Sequence, residues 1–139
     1  MKAFDTDILT EILGGNPAYA ERIAQVPLPE QAVPIVVIEE IIRGRLQIIR
    51  QAEAGKARIT IERAYLLFEQ TLDDIREFNV LSSTQQAEEL LKEWRKRKVR
   101  GSTHDLRIAA SCSVQSVTLV TRNRRHFQNI PGLDVEFWD

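Results

Sequence analysis

Three acidic residues, far apart in the chain, sit where side chains can do chemistry. Asp5 follows the short apolar pair Ala3-Phe4. Glu40 follows the apolar run Ile35-Val36-Val37-Ile38, and Asp105 precedes Leu106, Ile108 and Ala109. If these segments converge, the three carboxylates form one cluster. Clustered carboxylates repel one another, and each resists ionisation unless a cation neutralises the group. A hard, oxygen-seeking ion such as Mg²⁺ or Mn²⁺ suits such donors. Bound there, it would activate water and stabilise charge on a phosphoryl group. Each acid also has a simpler reading. Asp5 can N-cap a helix starting near Thr6. Asp105, three residues after Ser102, has capping-box spacing. Glu40 can be a solvated residue favoured by a helix dipole. Spacing alone leaves both readings open.

The elements that must position these acids alternate between strand and helix. Short, often β-branched runs predict strands at Ala3-Phe4, 35–38, 79–81, 117–120 and 133–137. Helical spacing fills the intervals. Ile38, Ile41, Ile42, Ile49 and Ala52 mark one apolar face, and Ala64, Leu67, Phe68, Leu72 and Ile75 mark another. Ala87, Leu90, Leu91 and Trp94 mark a third, and a helix is expected from about 104 to 115. No proline falls between residues 35 and 130, which permits long helices. The pattern predicts one α/β domain over residues 1–139, with a mainly parallel sheet of about five strands flanked by helices. Ligands bind such sheets beyond the carboxyl ends of the strands, where strand order reverses. On this scheme Asp5 ends the first strand, Glu40 lies in the first turn after the second, and Asp105 opens the helix before the fourth.

Composition narrows the alternatives. The single cysteine, Cys112, rules out an internal disulfide and any multi-cysteine zinc site, and its apolar surroundings read as core. No apolar stretch approaches the ~20 residues that span a bilayer. The opening Met1-Lys2-Ala3-Phe4-Asp5 meets acids too early for a secretory signal, so the expected location is the cytoplasm. Net charge is only −1, but it is unevenly spread. Residues 1–89 hold 9 basic and 15 acidic side chains, whereas residues 90–139 hold 10 and 5. Residues 92–100 alone carry six cations and one acid, just before Asp105. Arg95, Arg97 and Arg100 from this run, with Arg122 and Arg124 around Asn123, are candidate phosphate contacts that give affinity without sequence choice. Trp94 could stack on a base, but its spacing with Leu90 and Leu91 favours core packing.

Four motifs, in order, resemble the PIN-domain family. Phe4-Asp5-Thr6-Asp7-Ile8-Leu9 resembles its opening L-D-T-N/D-I/V-L. Glu40-Ile41-Ile42-Arg43-Gly44 resembles E-L-x-x-G, and Asp105-Leu106-Arg107-Ile108-Ala109-Ala110 resembles D-x-x-I-A-A. Leu119-Val120-Thr121-Arg122-Asn123, then Phe127 and Ile130-Pro131-Gly132-Leu133, resembles the family's ending. The likeness is nearest to VapC-type toxins. It implies an endoribonuclease that depends on Mg²⁺ or Mn²⁺, acts as the toxin of a type II toxin–antitoxin pair, forms a homodimer and is inhibited by a cognate antitoxin. It implies that Asp5, Glu40 and Asp105 are the catalytic metal ligands and that Asn123 fills a fourth position often held by Asp. Thr6, Asp7 and Thr121 are then supporting residues behind those ligands. Glu39 is the alternative to Glu40, but Gly44 stands four residues after Glu40, as in the motif. Neighbouring helix residues also point about 100° apart, so the two acids do not share a target. His126 stands where relatives often have an acid and reads as a loop histidine or a phosphate contact.

Two other classes compete. A receiver-like signalling domain wants an aspartate after the third strand and a lysine near the fifth. This chain has Ser82 after Leu81 and no lysine after Lys98. A non-catalytic PIN-like module that binds RNA or protein is the remaining alternative, favoured by Asn123.

Overall fold

A computed structural model describes all residues, Met1 to Asp139. Five strands form one sheet: β1 (Lys2–Phe4), β2 (Gln31–Pro34), β3 (Asn79–Leu81), β4 (Thr118–Thr121) and β5 (Val135–Phe137). Their spatial order is β3-β2-β1-β4-β5, and every neighbouring pair is parallel. Seven α-helices connect and cover them: α1 (Thr6–Leu13), α2 (Pro17–Ala24), α3 (Ile35–Glu53), α4 (Ile61–Ile75), α5 (Gln85–Lys96), α6 (Thr103–Val114) and α7 (Arg124–Phe127). The parallel α/β architecture expected from the alternating pattern is the one formed. No helix is long and apolar enough to cross a membrane.

Strand period explains the two cores. Successive strand residues point to opposite faces. Ala3 joins a cluster of 22 buried residues with its register neighbours Ala32 and Leu119, while Phe4 joins a cluster of five with Ile8, Val26, Val120 and Trp138. Both faces are therefore covered, as a parallel sheet requires, and the larger cluster reaches both, since it holds the successive β2 residues Ala32 and Val33. Trp94 is 1% exposed within the larger cluster, which settles it as core.

The second strand departs from expectation. Ile35-Val36-Val37-Ile38 is not strand but the start of α3, and β2 is the preceding Gln31–Pro34. The register gives the reason. Ala3 stands opposite Ala32, and Pro34 stands opposite Leu81, the last residue of β3. Beyond Pro34 both neighbouring strands have ended, so an extended 35–38 would have no ladder partner. A helix bonds its own backbone instead and still buries Val36, Val37 and Ile38. Tertiary context thus overrides β-branched propensity. The shift moves Glu40 to the sixth residue of α3, in its second turn rather than its first. On α4 the buried face runs through Ala64, Thr71 and Ile75, and Leu72 stays exposed.

Candidate active site

The sheet order places the reversal beside β1: chain order runs outward through β2 and β3 on one side and through β4 and β5 on the other. At the carboxyl ends of β1 and β4 a cleft of about 170 Å³ opens. Asp5, Asp7, Glu40, Asp105 and Asn123 line it, together with Thr6, His104 and His126, over a floor of Ile108 and Phe127. Three segments separated by tens of residues thus deliver the three predicted acids to one cavity.

Asp5 is 5% exposed. Its Oδ1 accepts from the Ile8 amide at 3.0 Å, N-capping α1. Its Oδ2 accepts from the Thr121 hydroxyl. Thr121 Oγ1 in turn accepts from the Asn123 amide at 3.0 Å. The capping reading and the site reading of Asp5 are therefore both true, one oxygen each. Burial pushes the Asp5 carboxyl up to about 6. The bonds from Thr121 and Ile8 resist that rise, and the nearby Asp7 and Asp105 charges add to it. No lysine, arginine or histidine pairs with Asp5.

Glu40 faces the cleft, while Glu39 turns outward to pair with Arg43 at 2.5 Å. Successive helical residues diverge by about 100°, so only one of the two can reach the site. Glu40 Oε2 accepts from the Thr6 hydroxyl and meets His104 Nε2 at 2.6 Å. Asp105 is the third residue of α6, and its amide donates to the N-cap Ser102 hydroxyl at 3.0 Å. That leaves its carboxylate free to meet His126 Nδ1 at 2.9 Å. His126 Nδ1 also lies 2.9 Å from the Asn123 amide nitrogen. One ring nitrogen cannot donate to Asp105 and accept from the Asn123 side chain at once, so the two contacts belong to different tautomers. Asn123 Oδ1 caps α7 by accepting from the His126 amide at 3.3 Å. Asp7 is exposed at the rim of the cleft.

The chain has only two histidines, and both stand in this cleft, each against one predicted acid. His104 was not anticipated. Its sequence signal is adjacency to Asp105, which local spacing reads merely as a helix start. The predicted arginines lie around the cleft, not in it. Arg95 braces the α5–α6 loop through the Gly101 carbonyl at 3.0 Å and the Thr103 hydroxyl at 2.7 Å. Arg122 reaches Glu11 and Tyr19, and Arg124 pairs with Asp139. Arg97 and Arg100 are exposed with no acidic partner.

The carboxylate and amide oxygens suit a hard cation, with the imidazoles of His104 and His126 beside them and no thiolate in reach. Cys112 is buried, and burial pushes its thiol up to about 12. No three His, Cys, Asp or Glu side chains are already arranged to hold an ion. Thr6 and His104 engage Glu40, and His126 engages Asp105, so a cation would have to compete with these contacts or act through intervening water.

A parallel α/β domain with a carboxylate cleft at its strand-order reversal is the class that fold and site define. The PIN domain family model matches residues 2–133, and the chain belongs to that family. No relative is found among curated proteins. Among solved structures, the chain is similar to a toxin–antitoxin complex from Klebsiella pneumoniae, at 22% identity and a TM-score of 0.71 over 96% of this chain and 95% of that one. It is similar to DNA-bound VapBC from Salmonella typhimurium, at 21% identity and 0.74 over 99% and 98%. It is also similar to FitAcB from Neisseria gonorrhoeae, at 17% identity and 0.78 over 97% and 96%. At such identities the likeness speaks for the fold.

Proposed function

We propose that this protein is a divalent-metal-dependent endoribonuclease and the toxin of a type II toxin–antitoxin pair. One observation carries the reading: Asp5, Glu40 and Asp105 come from three distant segments into one cleft, and the buried Asp5 has no cationic side chain beside it. Burying Asp5 beside other carboxylates with no cationic partner costs free energy, which a protein retains where a ligand repays it. Asp5, Glu40 and Asp105 would hold Mg²⁺ or Mn²⁺. When bound, that ion supplies activation of water and neutralisation of charge on the phosphoryl group.

The chain's own residues prepare the site. Thr121 fixes Asp5, Thr6 and His104 hold Glu40, and His126 holds Asp105. Asn123 ties the end of β4 to α7 and presents its amide at the rim without adding charge. Asp7 adds negative potential beside Asp5. The unpaired Arg97 and Arg100 would approach the RNA backbone directly, Arg122 and Arg124 would do so only by leaving Glu11 and Asp139, and Arg95 shapes the loop. A cognate antitoxin, homodimer formation and action in the cytoplasm complete the proposal, supported by family membership and by neighbours described as toxin–antitoxin complexes.

Asp5→Asn and Asp105→Asn should each cut RNA cleavage by more than about 100-fold, the upper range for losing even a supporting partner of a metal site. Excess chelator should stop wild-type cleavage, and Mn²⁺ or Mg²⁺ should restore it. Wild-type rates in both variants, or activity that survives chelation, refute the assignment. The second reading, a non-catalytic module, draws on the absence of a ready-made three-ligand arrangement. A Mn²⁺ titration separates the two, because a degenerate module binds the ion poorly.

A further inference from the structure

Two larger cavities flank the acid cleft, and each shares one histidine with it. His104 lines the cavity on the α3 side, about 500 Å³, with Glu39, Arg43 and Arg107. His126 lines the other, about 580 Å³, between the α5–α6 loop and α7. The three clefts are therefore neighbours, with the acids in the middle one and a shared histidine at each boundary.

Charge distinguishes the two ends. On the His104 side both guanidinium groups are already neutralised. Arg43 pairs with Glu39, and Arg107 pairs with Glu88 at 2.5 Å. On the His126 side stand Lys98, Arg100 and Arg125, exposed and without any carboxylate partner. No acid lines that cavity. The loop that carries two of these cations is held in shape. Lys98 adopts a left-handed backbone at φ 58, its amide bonds the Arg95 carbonyl, and Arg95 itself grips Gly101 and Thr103. Gly101, at φ 145, lets the loop close against Leu106, where an added Cβ would lie 3.1 Å from the side chain. A braced loop carrying unpaired cations is an anion seat whose shape is set before the ligand arrives.

Resting on the nuclease reading, we propose that this cavity seats the phosphodiester backbone flanking the cleaved bond of a single-stranded RNA. The strand crosses the acids, passes His126 and leaves between the α5–α6 loop and α7. It does not leave over His104, where the arginines are already paired. Arg100, Arg125 and Lys98 each meet a phosphate, and His126 marks the step from acid cleft to basic seat.

Binding tests this without cleavage. A fluorescein-labelled uridine 12-mer is titrated by anisotropy against the full chain in chelator, across a range of salt. Removing two phosphate contacts with Arg100→Gln and Arg125→Gln together should weaken binding about 10-fold. It should also flatten the log–log salt slope by about 1.4, given ~0.7 per phosphate contact for single strands. Arg43→Gln, at the opposite end, should leave both quantities unchanged. Asn129→Lys adds a cation to the proposed wall and should tighten binding about two- to three-fold; because it gains a function, a folding defect cannot mimic it. An unchanged affinity in the double variant, an equal loss in Arg43→Gln, or no wild-type binding to the oligonucleotide overturns the proposal. The two readings fail separately. A wild type that fails to cleave RNA sinks the nuclease, and wild-type cleavage rates in Asp5→Asn and Asp105→Asn sink its metal site, whereas a double variant that keeps wild-type affinity while the wild type still cleaves sinks only the seat.

Discussion

One strand joins two regions governed by opposite physics. Ala3 and Phe4 of β1 are fully buried among apolar side chains, and the next residue, Asp5, is nearly as buried among carboxylates. In the core, burial removes apolar surface from water and stabilises by roughly 25 cal/mol per Å². In the cleft, burial raises the cost of carrying charge. The same depth thus supports folding at one residue and opposes it at the next. A fold tolerates that where the core is large enough and the site has a ligand to satisfy, and here a cluster of 22 buried residues backs the first condition.

The comparison can be broken at its strong side first. Trp94→Ala empties a site that is 1% exposed in the larger cluster, and should cost about 3–5 kcal/mol in a denaturant melt. A cost well below 1 kcal/mol would return Trp94 to the pool of candidate base-stacking residues.

At the weak side the sign reverses. The Asp5 carboxyl is raised from its ordinary 3.8 to about 6 by burial. Below pH 3.8 it is neutral in folded and unfolded chains alike and contributes nothing. Between 3.8 and about 6 the unfolded chain ionises first, so the native state loses ground as pH rises. Above about 6 the full cost is present, at most about 3 kcal/mol at ~1.4 kcal/mol per pH unit. Asp5→Asn removes that cost but weakens a contact to Ile8 or Thr121. It should therefore stabilise the metal-free protein by roughly 1–2 kcal/mol at pH 8, with the gain vanishing near pH 4. Thermal melts at the two pH values check it. A variant less stable than wild type by the same margin at both would show that burial is not what Asp5 suffers from. Added Mn²⁺ should reverse the ranking, since it stabilises only the protein that binds it.

The smallest effect concerns Gly44. A Cβ built there meets nothing within 4 Å, although the residue sits inside α3. Gly44→Ala should stabilise the isolated chain by about 0.5–1 kcal/mol through helix propensity alone. A melt showing destabilisation would reveal that something approaches this helix face closely.

The legible parts share a cause. Helical and strand periods and the Asp5 and Ser102 caps follow from short-range pattern, and short-range pattern is local chemistry. Glu40 was separable from Glu39 through the motif it resembles, with Gly44 four residues on; 3.6 residues per turn adds only that the two face different ways. The misplaced second strand shows the limit: Ile35 to Ile38 have strand residues but lie beyond the ends of β1 and β3, a fact only the register reveals.

What the residues alone determined was which side chains exist to bind a hard cation, where most helices and strands fall, and that no thiol chemistry competes. What tertiary structure decided was who meets whom. The Thr121–Asp5 and His104–Glu40 contacts join residues 116 and 64 positions apart. They form because β1 lies between β2 and β4, and strand order is set by the packing of all helices against both faces at once. Likewise, only the folded chain separates arginines spent on neighbours from those left free, because pairing depends on distance in space, which a linear charge count does not contain.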